Sequence, residues 1–234
     1  MASVQKGMKQ IIASSSRVST GIIVLPELWA TGFAYEKLPE LTERIPAVLE
    51  HLLRLAAESG LYIAGSLPEY EDGSYYNTLF VAGPDGLSGA YRKQRLFGPM
   101  AEDTFFMPGT HPQPIRTDLG SIAALICYDL RFPELLRAQT ALGSDLLVIS
   151  AQWPAARIDH WRILVQARAI ENQMFIVASN RCGTTDKTTF GGHSMIVGPD
   201  GSILLEAGGD EEYRGTVIDP GMVASARSFF CTVP

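Results

Sequence analysis

The chain is poor in histidine. Four occur in 234 residues, none at ligand spacing from another histidine or from a cysteine, so no metal site is expected. Cysteine is equally sparse. Cys127, Cys182 and Cys231 are an odd set with no framework spacing, which reads as a reduced, cytoplasmic protein. No apolar run approaches the ~20 residues of a membrane span. The opening stretch MASVQKGMKQIIASSS has no apolar core of a secretion signal. Basic residues are never massed. Lys and Arg number 19 against 25 Asp and Glu, for a net charge of −6, which leaves no basic stripe for nucleic acid. Pro, Gly and Ser are scattered as turns and nowhere form a linker. Residues 1–234 therefore read as a single domain.

What is present is an alternation of short apolar runs with helical patterns. Strands are expected at Gly21–Leu25, Leu61–Ala64, Asn77–Ala82, Ser88–Tyr91, Ile122–Ile126, Asp145–Ser150 and Met174–Ser179. Helices fit Pro46–Ser59, closed by Gly60, then Pro133–Leu142, and Asp159–Asn172 with Asp159 as N-cap. GPDG occurs at Gly83–Gly86 and again at Gly198–Gly201, each time between β-like runs. Pro presets φ and Asp and Gly suit the following positions, so both are expected to be hairpin turns. The pattern predicts two sheets packed face to face with helices outside.

Three chemically active side chains fall at ends of these strands. Glu27 follows GIIVL within LPELW, Lys93 follows SGAYR within YRKQRLF, and Cys127 ends IAALI within CYDLRFPE. Each residue alone has an ordinary explanation: a carboxylate turned to solvent, a solvated lysine, a core cysteine. Their shared placement argues otherwise, because side chains converge at the C-terminal edge of strands in layered α/β folds. A carboxylate, an ammonium and a thiol meeting there supply a base, an oxyanion donor and a nucleophile.

LPELWATGF, YRKQRLF and CYDLRFPE, in this order, resemble the three signature segments of the nitrilase superfamily of carbon–nitrogen hydrolases. Residues 151–183, AQWPAARIDHWRILVQARAIENQMFIVASNRCG, resemble its omega-amidase branch. The resemblance implies an α/β fold, a four-layer α-β-β-α sandwich, a homodimer and no cofactor. It implies a catalytic triad of Glu27, Lys93 and Cys127. A second glutamate at the place of Glu102 would assist. It also implies a strand ahead of a first helix, and the chain opens close to that helix, at KGMKQIIASSS. A further stretch would follow ARSFFCTVP. Against that pattern the chain reads as shortened at both ends.

The implied reaction is hydrolysis of a linear amide through a thioester. The thiolate of Cys127 is expected to be favoured by Lys93 and by the positive end of the helix at Pro133. Burial is expected to raise Glu27 toward neutrality for a double role as base and acid. Tyr128 would offer its backbone N–H to the oxyanion. Arg131 either binds substrate or pairs with Asp129 or Glu134. Trp153 either walls the pocket or simply fills the core. Arg168 and Glu171 are expected to pair along one helix face, His160 and Trp161 to pack at a helix start, and Tyr35 lies within reach of the site. The resemblance favours a small ω-amide such as 2-oxoglutaramate or succinamate. A nitrile or N-carbamoyl hydrolase, or a silent interaction module on the same scaffold, are the alternatives. The triad does not separate them, because selectivity resides in the pocket.

Overall fold

The computed structural model describes residues 20–185 and 188–233. The helical pattern at residues 6–16 lies outside the described residues. Strands β1 (Ile22–Val24), β2 (Tyr62–Glu71), β3 (Ser74–Gly83) and β4 (Gly86–Arg92) form one sheet in that order. Next come β5 (Ile115–Thr117), β6 (Gly120–Ile126), β7 (Leu146–Ala151) and β8 (Phe175–Asn180). A small ribbon of β9 (Cys182–Thr185) and β10 (Thr188–Gly191) follows, then β11 (Met195–Val197) and β12 (Ile203–Glu206). The second sheet runs β12-β11-β8-β7-β6-β5.

The central strands β6, β7 and β8 pair in parallel, with Ile126 beside Ser150 and Ser150 beside Ser179. Their continuous apolar sequences suit burial on both faces. One face meets the first sheet, and Tyr62, Ala64, Leu79 and Val81 share a core with Ile122 through Ile126. Helices close the outside. After the short α1 (Leu38–Thr42), α2 (Ile45–Ser59) buries Leu52 and Ala56 against the outer side of β2 and β3, joining Ile63, Leu67 and Phe80. Gly60, at φ +69°, ends it in the left-handed conformation that glycine adopts without a Cβ penalty. The single-turn α3 (Glu102–Phe105) comes next. Helices α4 (Pro133–Thr140) and α5 (Ile158–Asn172) pack on the outer face of the second sheet, and α6 (Gly221–Phe229) follows β12. The layers are α-β-β-α, as the motifs implied.

Both GPDG segments are hairpin turns. Gly83 pairs with Gly86 across Pro84 and Asp85 in the first sheet, and Gly198 N–H donates to the Ser202 carbonyl in the second. Strands β2 and β3 extend well beyond their expected apolar runs. Their outer halves, rich in Glu, Tyr and Ser, continue the ladder to a turn at Asp72 and Gly73, both at positive φ. Asp159 is not the N-cap of α5. The helix begins one residue earlier, no side chain caps it, and Asp159 lies in the first turn, where its charge suits the helix dipole.

The core argument makes a quantitative prediction. Leu147 on β7 is fully buried and Tyr70 near the end of β2 is exposed. Leu147→Ala should lower the unfolding free energy in urea by about 2–5 kcal/mol, whereas Tyr70→Ala should stay within about 0.5 kcal/mol of the parent. Similar losses for the two would contradict this assignment of the core.

Candidate active site

Glu27 lies three residues past β1, Lys93 one residue past β4, and Cys127 one residue past β6. Lys93 Nζ donates to Glu27 Oε1 at 2.7 Å and to both oxygens of Glu102 at 2.8 Å. All three side chains are sealed from solvent, with exposures of 0% for Glu27, 2% for Lys93 and 1% for Glu102. Glu102 opens α3 and takes a further hydrogen bond from Phe97 N–H at 2.7 Å. Asn77 on β3 bridges the two carboxylates, its Nδ2 donating to Glu27 at 2.9 Å and Glu102 at 3.1 Å. Gln152, just past β7, grips Glu27 twice. Its N–H reaches Oε2 at 3.3 Å and its Nε2 reaches the Glu27 carbonyl at 2.7 Å.

Cys127 occupies a strained turn. Its φ is +47°, in the left-handed region that costs a non-glycine residue about 1 kcal/mol or more. A 3-10 turn over Cys127–Arg131 follows directly. The buried carboxylate of Asp129 secures it. Asp129 Oδ2 accepts from Ile126 N–H at 3.0 Å and from the Tyr91 hydroxyl at 2.9 Å. Oδ1 accepts from Arg95 N–H at 2.8 Å and Gln94 N–H at 3.3 Å. One side chain thus ties the cysteine turn to the segment that follows Lys93. The Leu130 carbonyl, in the same turn, accepts from Arg168 Nη2 at 2.8 Å.

Two carboxylates and one ammonium leave the buried cluster with an excess of negative charge. Burial raises the Glu27 pKa, as expected, although Lys93 opposes the shift. Burial works against the Lys93 ammonium, but Glu27 and Glu102 outweigh it and hold its proton well above the usual lysine range. The Cys127 thiol is pushed well above its usual range, by burial first and by Glu27 next, with Lys93 and the Gln152 N–H only partly offsetting them. This corrects the expectation of a favoured thiolate. The helix that opens at Pro133 is separated from Cys127 by the 3-10 turn, and dipole effects fade within one helical turn. The resting sulfur is a thiol beside the Glu27 carboxyl group.

Comparison with known proteins decides the family. The carbon-nitrogen hydrolase family model matches residues 2–228. The chain belongs to the carbon-nitrogen hydrolase family. It is 40% identical over 201 residues to a 2-oxoglutaramate amidase of Bacillus subtilis, covering 85% of this chain and 78% of that protein. It is 32% identical over 235 residues to the omega-amidase NIT2 of Xenopus tropicalis, covering 93% and 83%. Among solved structures, Saccharomyces cerevisiae Nit3, a member of branch 10 of the nitrilase superfamily, matches with a TM-score of 0.85 at 27% identity, covering 98% of this chain and 88% of that one. The chain is therefore a nitrilase-superfamily enzyme of the omega-amidase branch, a hydrolase acting on amides.

The remaining candidates of the hydrolase divide. Arg131 pairs with neither Asp129 nor Glu134. Asp129 is saturated by the four donors above, and Glu134 pairs with Arg95 at 3.1 Å. Arg131 instead lies over the Trp153 ring at 4.7 Å, with Nη2 3.4 Å from His160 Nδ1. Trp153 is buried, donates Nε1 to the Arg157 carbonyl at 2.8 Å, and stands 5.7 Å from Trp161. It is a core tryptophan that also supports Arg131. Half-buried Tyr128 packs edge-on between Phe97 and Phe132. Arg168 and Glu171 form the expected pair at 3.0 Å. A cleft of about 1890 Å³ runs along β1, β8 and β11, and its walls include Glu27 and Gln152 but neither Cys127 nor Lys93.

Asn77, Asp129 and Gln152 escaped the sequence reading. Asn77 gave one signal, an amide at the head of the apolar run NTLFVA. Asp129 stood beside Cys127 and was visible only as a candidate partner for Arg131.

Burial pushes the Asp129 carboxyl up to about 6 from an ordinary 3.8. Between those values the folded chain holds a proton that the unfolded chain has lost. Its contribution to stability should therefore fall as pH rises through that window and level off above it, by at most about 3 kcal/mol. Asp129→Asn should abolish this component, measured as the difference between parent and variant urea stabilities from pH 4 to pH 7. A difference that does not change with pH would refute the assignment.

Proposed function

We propose that this hydrolase cleaves the terminal amide of small ω-amidodicarboxylates, such as 2-oxoglutaramate or succinamate, through a Cys127 thioester. The observation that most supports this is the sealed Glu27–Lys93–Glu102 network beside a cysteine held in a left-handed turn. A primary amide resists water because resonance protects its carbonyl and its nitrogen leaves poorly. In the first step the Cys127 sulfur bonds to the carbonyl carbon while its proton passes to Glu27. The carbonyl electrons move onto oxygen, which is stabilised by Lys93 and the backbone N–H of Tyr128. Such donors each contribute roughly 3–4 kcal/mol to the barrier.

The C–N bond then breaks as Glu27 hands the proton to nitrogen, releasing ammonia and leaving a thioester. Glu27 next takes a proton from water as the water oxygen attacks. The C–S bond breaks, the sulfur recovers the proton, and the acid departs. A raised Glu27 pKa suits both halves of this cycle. Glu102 touches neither nucleophile nor leaving group in this scheme and holds Lys93 charged and in place. No cofactor takes part.

Arg131 supplies the reason for an acidic substrate. Its guanidinium has no carboxylate partner among the described residues and is presented on the Trp153 face near the cysteine turn. Such a fork suits a carboxylate. The names of the Bacillus and Xenopus relatives agree with this choice. We further propose one catalytic domain in the cytoplasm, consistent with three free cysteines. We also propose a homodimer formed partly through α5, where Ile163 and Ile170 share a face and are 64% and 52% exposed.

Cys127→Ala should abolish ammonia release from succinamate and 2-oxoglutaramate while leaving the circular dichroism unchanged. Preference for nitriles or N-carbamoyl amino acids in the same assay would replace the amide reading. Arg131→Ala should lower kcat/KM for succinamate about tenfold to a hundredfold and spare butyramide. Equal losses on the charged and uncharged amides would remove Arg131 from substrate recognition.

A further inference from the structure

Tyr35 carries a hydroxyl that the fold does not use. It lies between β1 and α1, in the 3-10 turn Tyr35–Lys37. Its ring is clamped by Phe33 at 5.6 Å, Phe105 at 5.6 Å and Phe106, edge-on, at 5.4 Å. Phe105 ends the helical turn that Glu102 opens, and Phe106 follows it, so the ring is held against the element that presents Glu102. Only 8% of the residue is exposed. A phenylalanine would supply this packing equally well.

The hydroxyl has no hydrogen-bond partner among the described residues. It is also not among the sealed polar atoms without a partner, which are Trp29 Nε1, Asn77 Oδ1, Ser121 Oγ and Arg227 Nε. The oxygen therefore retains contact with open space. That space borders the active site, because Tyr35 shares a buried cluster with Leu28, which follows Glu27, and its ring is held by Phe105 and Phe106 of the turn that Glu102 opens. Burial, Glu102 and Glu27 all hold its proton far above the usual tyrosine range, Lys93 opposes them, and Cys127 adds a smaller effect. The phenol stays neutral at any working pH. An oxygen that can both donate and accept thus stands beside the segments that carry the two carboxylates.

We infer that Tyr35 is a substrate-binding residue whose oxygen accepts an N–H of the reacting carboxamide, on the side where Glu27 exchanges protons with nitrogen. The inference rests on the proposed amidase reaction. A primary carboxamide has two N–H donors, and Glu27 as proton carrier engages the nitrogen from one direction. The second N–H needs an acceptor that does not itself take a proton, and a neutral phenol qualifies. The contact would favour unsubstituted amides over substrates that lack an N–H.

The test is Tyr35→Phe on the full chain, with succinamate and its oxygen counterpart, the monomethyl ester of succinic acid, as probes. The variant should melt at or above the parent temperature, because no protein hydrogen bond is lost. Its kcat/KM for succinamate should fall about tenfold, which is about 1.4 kcal/mol. The ester has no N–H, so its kcat/KM should be unchanged, or its Ki if it acts only as an inhibitor. Unaltered succinamate turnover, equal losses on amide and ester, or a lowered melting temperature would each overturn the assignment. Cys127→Ala, run alongside, keeps the two proposals separate. Residual ammonia release from that variant would refute the thioester reaction, whereas an inactive Cys127→Ala with an unaffected Tyr35→Phe would refute only the role of Tyr35.

Discussion

The burial of one ammonium between two carboxylates is the constraint on which the site depends. Lys93 is out of water, and Glu27 and Glu102 are both within hydrogen-bond distance of it. Removing charges from water is costly, and such a cluster persists only when each member keeps its partners. Loss of Lys93 would leave two carboxylates buried together, and loss of either glutamate would loosen the ammonium. Asn77, Gln152 and the Phe97 N–H spend their donors on the same two carboxylates. The geometry is therefore overdetermined, as preorganised charge stabilisation requires.

This cluster sets the chemical state of its neighbour. With the ammonium already shared between two acids, little positive charge is left to stabilise a thiolate. Cys127 rests as a thiol, and in the proposed reaction its activation is coupled to Glu27. A permanent thiolate would be available to any electrophile. A thiol that loses its proton only as a carbonyl arrives discriminates better among reaction partners. The backbone adds to this control, since Cys127 adopts a conformation few non-glycine residues tolerate and Asp129 holds the turn from behind.

The scaffold brings these groups together by direction as much as by proximity. Strands β1, β2 and β4 run one way, β6, β7 and β8 run parallel, and the two sheets stack with β3 near β6 and β2 near β7. Glu27, Lys93, Cys127 and Gln152 then leave four strand ends at one rim. Residues more than a hundred positions apart meet there, as Gln152 and Glu27 do.

Much of this was legible in the sequence, because hydrophobic periodicity and turn chemistry are local. The apolar runs ending near Glu27, Lys93 and Cys127, and the two GPDG turns, depend on neighbours within a few residues. The four fold layers followed from the resemblance of the three motifs to the nitrilase superfamily. The tertiary structure alone decided the rest. The polar halves of β2 and β3 became strand because a partner strand was present to satisfy their backbone. Arg131 makes neither of the alternative pairings because Asp129 is claimed by the Tyr91 hydroxyl and backbone donors and Glu134 by Arg95. The thiol stayed protonated because desolvation and the summed charge of Glu27, Lys93 and Glu102 act through space. No local pattern records how many charges will share one dry volume.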